Sequence, residues 1–356
     1  MKSKKLECQV GSGKCQWVHI GEKQCQGKYY VNGKETDMAE KYKYLGDMTS
    51  NNIEHLYSTR ADKANGYRAI NIAMATEISL GYRMFSIAKL LHHSLFLSAT
   101  LVNMETWPHF TVARLDIFEK IEQHYFRSIL SGHSKCPIES IYLSMGVIPF
   151  RFHLMKKRIT YYQLIMKRDK CELTRQIIEA QKTNSLRGDF YCQVISDMEY
   201  LGITEIDIII RSEENLKSLV SDKIEGCAYQ YLIEKGRTHS KTRIEIYKDL
   251  KGSQFLFDRR FTPELSRLVF LFQTRSYGVR NNFRNNYQGQ SLNCRLCEED
   301  LDQQSHIFSC PTIRRFITDI DEQQYEDLFS NDIDKLYKAA LQTKEIVKLR
   351  EVLLNP

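Results

Sequence analysis

Proline and glycine are scarce in this chain, at 6 and 17 of 356 residues. A chain with so few breakers, and with abundant Leu, Ile, Lys and Glu, favours long helices over short strands. Also missing is an uninterrupted apolar run of membrane-spanning length. The most apolar stretch, residues 87–102, is broken by Lys89, His92 and His93 and reads as a buried helix rather than a span. The opening MKSKKLECQV is basic but has no apolar core, unlike a signal peptide. There is no G-x-S-x-G elbow, no P-loop and no dinucleotide-binding glycine fingerprint. These absences leave no familiar hydrolase, nucleotidase or dehydrogenase motif.

Ten cysteines are present, but their spacing does not suggest a secreted disulfide framework. Three of them join a histidine in one short window. Cys294, Cys297, His306 and Cys310 form C-x2-C-x8-H-x3-C within CRLCEEDLDQQSHIFSC. Three thiolates and one imidazole make a closed tetrahedral set for Zn²⁺ that leaves no position for a substrate. Such a site is structural and holds a short loop in shape where the local core is too small to do so. His306 and Cys310, four apart, are expected on one face of a helical turn. The other seven cysteines are scattered; Cys8, Cys15, His19 and Cys25 are too irregularly spaced for a second metal pair. Free thiols and the lack of a signal peptide point to a reducing compartment, nucleus or cytoplasm, rather than secretion.

A net charge of +7 says little alone, but its distribution is informative. Between positions 259 and 295 stand Arg259, Arg260, Arg267, Arg275, Arg280, Arg284 and Arg295 against one acid, Glu264. An acidic stretch follows, from Glu298 to Asp334. Arg267, Arg275, Arg280, Arg284 and Arg295 are candidates for contacts to RNA or DNA backbone. Phe283 and Tyr287 interleave with them as stacking surfaces for unpaired bases. The competing reading is a solvated face with two core aromatics. The Asn- and Gly-rich run 281–293 is expected to form turns.

At 356 residues the chain has room for two or three domains. The first fifty residues carry short β-prone runs separated by glycines: LECQV, CQWVHIG, KYYVNG and KYKYLGDM. They read as the edge of a sheet. Helical periodicity then predicts helices over 53–74, 86–104 and from Thr111, where Leu115, Phe118, Ile121, Tyr125 and Ile129 form one stripe. Further helices are expected over 150–168, 172–181, 189–201, 213–234, 263–277 and 333–354. The fold class is mainly α, with a small N-terminal β portion and a C-terminal Cys3His knuckle. The divisions expected are 1–50, a helical 51–135, a helical 136–258, an arginine-rich and metal-binding 259–320, and an acidic linker with a terminal helix over 321–356.

Several segments carry a resemblance. KCQWVHIG (14–21) and KYKYLGDMTS (41–50) resemble the distal palm and palm–thumb junction of non-LTR (LINE-type) retrotransposon reverse transcriptases. SLFLSATLVNMETW (94–107) looks like the thumb helix of that family. PIESIYLSMGVIPFRFHLMKKRITYYQLIM (137–166) resembles its connector, and the arginine run with its Cys3His set resembles its C-terminal zinc knuckle. The resemblance covers nearly the whole chain.

It implies a palm remnant with Tyr44, Leu45 and Gly46 as a primer-grip-like turn, a helical thumb, and RNA or DNA as partner. The turn also reads simply as a β-turn leading into a helix. In the intact family, RNA-directed DNA synthesis is primed at a nicked target and needs Mg²⁺ held by an early Asp and an Asp-Asp hairpin. This sequence has no adjacent Asp-Asp, and no endonuclease region is recognised in it. The expectation is a C-terminal fragment, inactive as a polymerase by itself, whose partners include the upstream palm and endonuclease regions. The alternatives are a non-catalytic, zinc-stabilised helical interaction module and a relic without function.

Overall fold

The computed structural model describes residues 16–17, 28–31, 33–44, 47–50, 56–79, 85–106, 111–130, 136–184, 186, 188–238, 243–320 and 322–355. Of the early segments, LECQV, Lys14, Cys15, His19, Ile20, Gly21, Leu45 and Gly46 lie outside the described residues. What is described there is extended. Lys34–Met38 runs parallel to Gln16–Trp17 and antiparallel to Tyr29–Val31. Lys41–Tyr44 pairs antiparallel with Asp47–Ser50, with Tyr44 opposite Asp47.

Helices make up most of the remainder of the described chain. Helix Leu56–Ser79 packs against Val112–Leu130 and against the segment that begins with Phe85–Leu91. That segment passes through a π-helical stretch, His92–Leu97, before resuming at Ser98–Thr100. A widened turn of this kind often marks a local constraint. Here it buries His92, Phe96 and Leu97 together. The stripe of helix Val112–Leu130 is placed as its periodicity predicts: Phe118, Ile121, Tyr125 and Ile129 are fully buried, and Leu115 is half-buried.

Helix Ile138–Met145 was not anticipated from the sequence. It is buried along nearly its whole length, so it has no polar face to set a period. It ends at Gly146, whose φ of 61° is the left-handed cap geometry. A Cβ at Gly146 would stand 2.6 Å from the Lys251 backbone, so the crossing of these two segments requires glycine.

Pro149 precedes helix Phe150–Met166, which faces two ways. Phe150 and Leu154 join the larger hydrophobic cluster; Phe152, Ile159, Tyr162 and Ile165 join a second one. The second cluster is completed by helices Leu173–Thr183, Phe190–Leu201, Glu205–Ile210 and Glu213–Arg237. Within it the buried Arg158 guanidinium forks onto Asp197 at 2.6 and 3.0 Å. The start of helix Glu205–Ile210 is set by a reciprocal cap between Thr204 and Asp207, and that of Glu213–Arg237 by the Ser212 hydroxyl.

Buried side chains group differently from the divisions expected from the sequence. The larger cluster runs from Ile70 through residues 138–154, resumes at Leu232 and continues to Val347. It therefore joins parts of the 51–135, 136–258, 259–320 and 321–356 segments in one core. Helix Pro263–Gln273 starts at a Thr262 cap with proline in its first turn. It stops four residues short of the expected Tyr277, because Arg275 turns to φ 50°. Helix Ile333–Leu354 begins where Asp332 caps the amides of Asp334 and Lys335. No helix among the described residues is long and apolar enough to cross a membrane.

Candidate metal centre and the arginine loop beside it

The chain reaches the cysteine pair as a narrow hairpin. Asn293 and Leu301 bridge antiparallel, and the Asp302 amide donates to the Leu292 carbonyl at 2.8 Å. Between them the Glu298 amide donates to the Cys294 carbonyl, and Glu298 itself takes a left-handed φ of 62°. This tight reversal turns Cys294 and Cys297 toward the same point. A short helix, His306–Ser309, supplies the imidazole. Cys310 lies just beyond that helix, with ψ at 121°. Pro311 explains the exit, because a residue preceding proline is disfavoured in helical geometry. The expectation that His306 and Cys310 share one helical turn thus holds for the histidine but not strictly for the cysteine.

The four ligand atoms lie within 4.8 Å of one another. Cys294 Sγ is 3.9 Å from Cys310 Sγ, and Cys297 Sγ is 3.3 Å from His306 Nε2. With Nε2 directed into the cluster, Nδ1 lies 3.5 Å from Asp300 Oδ2. A carboxylate behind a ligating imidazole fixes its tautomer and raises its basicity. The two neighbouring thiols do not ionise together. Their mutual hydrogen bond pulls the Cys294 thiol well down and, with burial, pushes Cys310 well up. Two adjacent thiolates need a cation between them, which is the chemistry of a metal cluster. The donor set therefore fits a closed four-ligand metal ion.

The centre is not an isolated loop held only by its ligands. Cys294 and Cys310 belong to the larger hydrophobic cluster, alongside Ile307, Phe308 and Ile313. The expectation of a site compensating for a missing core is corrected on this point: the core extends into it.

The arginines divide into two groups. Arg267 Nε donates to the Ile129 carbonyl at 2.8 Å and ties two helices together. Arg280, Arg284, Phe283 and Tyr287 share one segment, the 3-10 stretch Arg280–Asn286 and the residue after it. The expected turn region is thus partly 3-10 helix, kinked at Phe283. Arg284 and Arg295 are exposed, while Phe283 and Tyr287 are half-buried. The Arg280 guanidinium lies 5.6 Å from the centre of the Tyr287 ring and donates to the Ser291 carbonyl. Arg275 is half-buried and faces the opening beside His306. Tyr44 ends a strand, and its side chain lies outside the described residues, as do Leu45 and Gly46.

Asp302 joins the loop to the metal hairpin. Its carboxylate accepts from the Arg280 amide at 3.0 Å and from Arg350 at 2.6 Å. Both members of the Arg350 pair are buried. Neither residue was singled out in the sequence. Asp302 was one acid in an acidic run. Arg350 had a detectable signal, because it falls on the buried stripe Leu336, Ala339, Ala340, Thr343, Ile346 and Val347 at helical spacing.

A second buried polar group lies elsewhere. His92 Nε2 is 2.7 Å from Glu122 Oε1, and Glu122 Oε2 accepts from the Tyr142 hydroxyl and the Phe150 amide. Burial raises Glu122 to about 8 and lowers His92 to about 3, so the pair is neutral near pH 7.

Comparison with protein families, curated proteins and solved structures gives no match to this chain.

Proposed function

We propose that this chain is a nucleic-acid-binding region corresponding to the distal palm, thumb and C-terminal knuckle of a non-LTR retrotransposon reverse transcriptase. It engages RNA or DNA without itself polymerising. The ion at Cys294, Cys297, His306 and Cys310 is a structural Zn²⁺, since three thiolates and an imidazole suit it and fill its coordination shell. One observation carries the reading. The loop 280–290 contains no acid, exposes Arg284 and several amides, and is pinned by Asp302 to the metal hairpin. A cationic, amide-rich surface fixed on a rigid support suits phosphate contact. The ordered sequence resemblance supplies the family, and the lack of an Asp-Asp pair is the reason to propose binding without synthesis.

The test is the salt dependence of binding. Replacing Arg280 and Arg284 with alanine should weaken oligonucleotide binding across sequences. It should also flatten the slope of log affinity against log salt by about 1.4 on single strands and about 1.8 on duplex. An unchanged slope removes the loop from the interface.

One feature favours the alternative of a protein-interaction module. A cavity of 680 Å³ contains Leu97, Leu101 and Leu164 and is edged by Lys156, Lys157, Lys167 and Lys217. Failure of the chain to bind any oligonucleotide at low salt would favour that reading.

A further inference from the structure

Helix Phe150–Met166 gives two of its sides to the hydrophobic clusters and leaves a third side to solvent. On that side His153, Lys156, Lys157, Thr160, Leu164 and Lys167 recur at helical spacing and line one open groove of about 680 Å³. At 1.5 Å per residue, the stretch from His153 to Lys167 makes a floor about 21 Å long. One wall is the segment that carries Leu97, Leu101 and Glu105. The other is the start of helix Glu213–Arg237, with Glu213 and Lys217.

The lining is mostly apolar. Leu97 and Leu101 are buried in its wall, whereas Leu164 is 50% exposed and belongs to neither hydrophobic cluster. The half-buried Tyr161 ring and the aliphatic stems of the lysines extend this surface. The rim carries four lysines against two acids. Lys157 pairs with Glu105 at 3.2 Å, and Lys217 with Glu213 at 2.6 Å. Lys156 donates to the Ser221 hydroxyl at 2.8 Å, which leaves its charge unbalanced. Lys167 is exposed and forms no ion pair among the described residues.

Shape and charge together constrain the occupant. A polynucleotide gains from dense cations and gains little from leucines, so a mostly apolar groove suits it poorly. All the walls are helical, and no strand edge is offered for an added strand. The occupant is therefore held through side chains, as an amphipathic helix is in a hydrophobic groove. The excess of lysines selects acids at the edges of its apolar stripe.

We propose that this groove docks an acidic amphipathic helix of a partner protein, about 14 residues long to match the floor. Its apolar residues at i, i+3 or i+4, and i+7 meet Leu164 and Tyr161, and its carboxylates meet Lys156 and Lys167. This rests on the second reading above, the protein-interaction module, and does not depend on nucleic-acid binding at the 280–290 loop.

The experiment selects binders to the full metal-loaded chain from a displayed library of random peptides about 16 residues long. Enriched peptides are then titrated against the parent, Leu164→Ser and Lys167→Glu, with a labelled short RNA titrated in parallel. Enriched sequences should carry apolar residues at helical spacing flanked by Asp or Glu. Leu164→Ser should weaken their binding about 5- to 20-fold. Lys167→Glu should weaken it about 3- to 10-fold at low salt and less at high salt. Both residues are exposed, so both variants should melt with the parent. The RNA should bind all three alike.

No enrichment, enriched peptides without acids, or parent-like peptide binding by both variants overturns the proposal. If RNA binding persists in those cases, the nucleic-acid reading stands and only the groove assignment falls. Equal weakening of RNA by Leu164→Ser gives the groove to nucleic acid instead. Self-association of the chain that Leu164→Ser abolishes, without peptide enrichment, makes the occupant a second copy; either result overturns the proposal. Should Leu164→Ser melt early, Lys167→Glu decides alone, and unchanged peptide affinity there overturns it.

Discussion

The Glu122 carboxyl is shut away from solvent and touches His92, Tyr142 and the Phe150 amide. Its protonated form donates to His92, while its other oxygen accepts the remaining bonds. The pH dependence follows from the two opposite shifts. Glu122 is raised from 4.5 to about 8, so its contribution is complete below pH 4.5 and is lost as pH rises through 8. His92 is lowered from 6.5 to about 3, so its contribution is complete above pH 6.5 and is lost as pH falls through 3. Above pH 6.5, only the Glu122 slope of these two remains.

Glu122→Gln mimics the neutral acid, with an amide to donate to His92 and an oxygen to accept from Tyr142. Urea unfolding should show the parent losing about 2 kcal/mol between pH 6.5 and 8.5, and the variant losing much less. Parallel curves would mean Glu122 is already ionised. The position was half-legible: Glu122 falls on the stripe of Phe118, Ile121, Tyr125 and Ile129. A charged residue on an apolar stripe announces a buried partner. Which partner was not legible, because His92 is thirty residues away in sequence.

Elements with strong local signals were read closely. Helix Ile333–Leu354 has the predicted bounds, and Glu213–Arg237 and Phe190–Leu201 differ from expectation by a few residues at one end. Their caps are local, and local chemistry is what a sequence displays. The early end of helix Pro263–Gln273 had no such mark: no glycine signals the turn, and an arginine takes the left-handed position. The π-helical stretch was equally silent.

At this scale Asp302 matters most, since it links the 3-10 stretch, the metal hairpin and the terminal helix. Asp302→Ala leaves the buried Arg350 charge without a counter-ion. It should cost about 3–5 kcal/mol in urea unfolding. Faster amide exchange across 280–287 should accompany it. A loss below about 1 kcal/mol would show that the tie contributes little.

Across the whole molecule, the sequence revealed the helical class and the four-residue metal set, but not how the core is shared. Helix Phe150–Met166 shows why. It buries side chains on two sides, so its pattern has no single apolar face, and only the packed molecule shows that it joins two clusters. The metal set was readable because its four members fall within seventeen residues and their chemistry is restrictive. Its embedding in the larger core depends on distant residues and was not readable.

The account depends on that centre being a closed cage that fixes the arginine loop in place. The most direct test is the metal content of the full chain, purified reduced and without added metal. One zinc per chain, lost in Cys297→Ser, is the predicted result. A metal-free, folded parent chain, or a stoichiometry indifferent to Cys297, would contradict it.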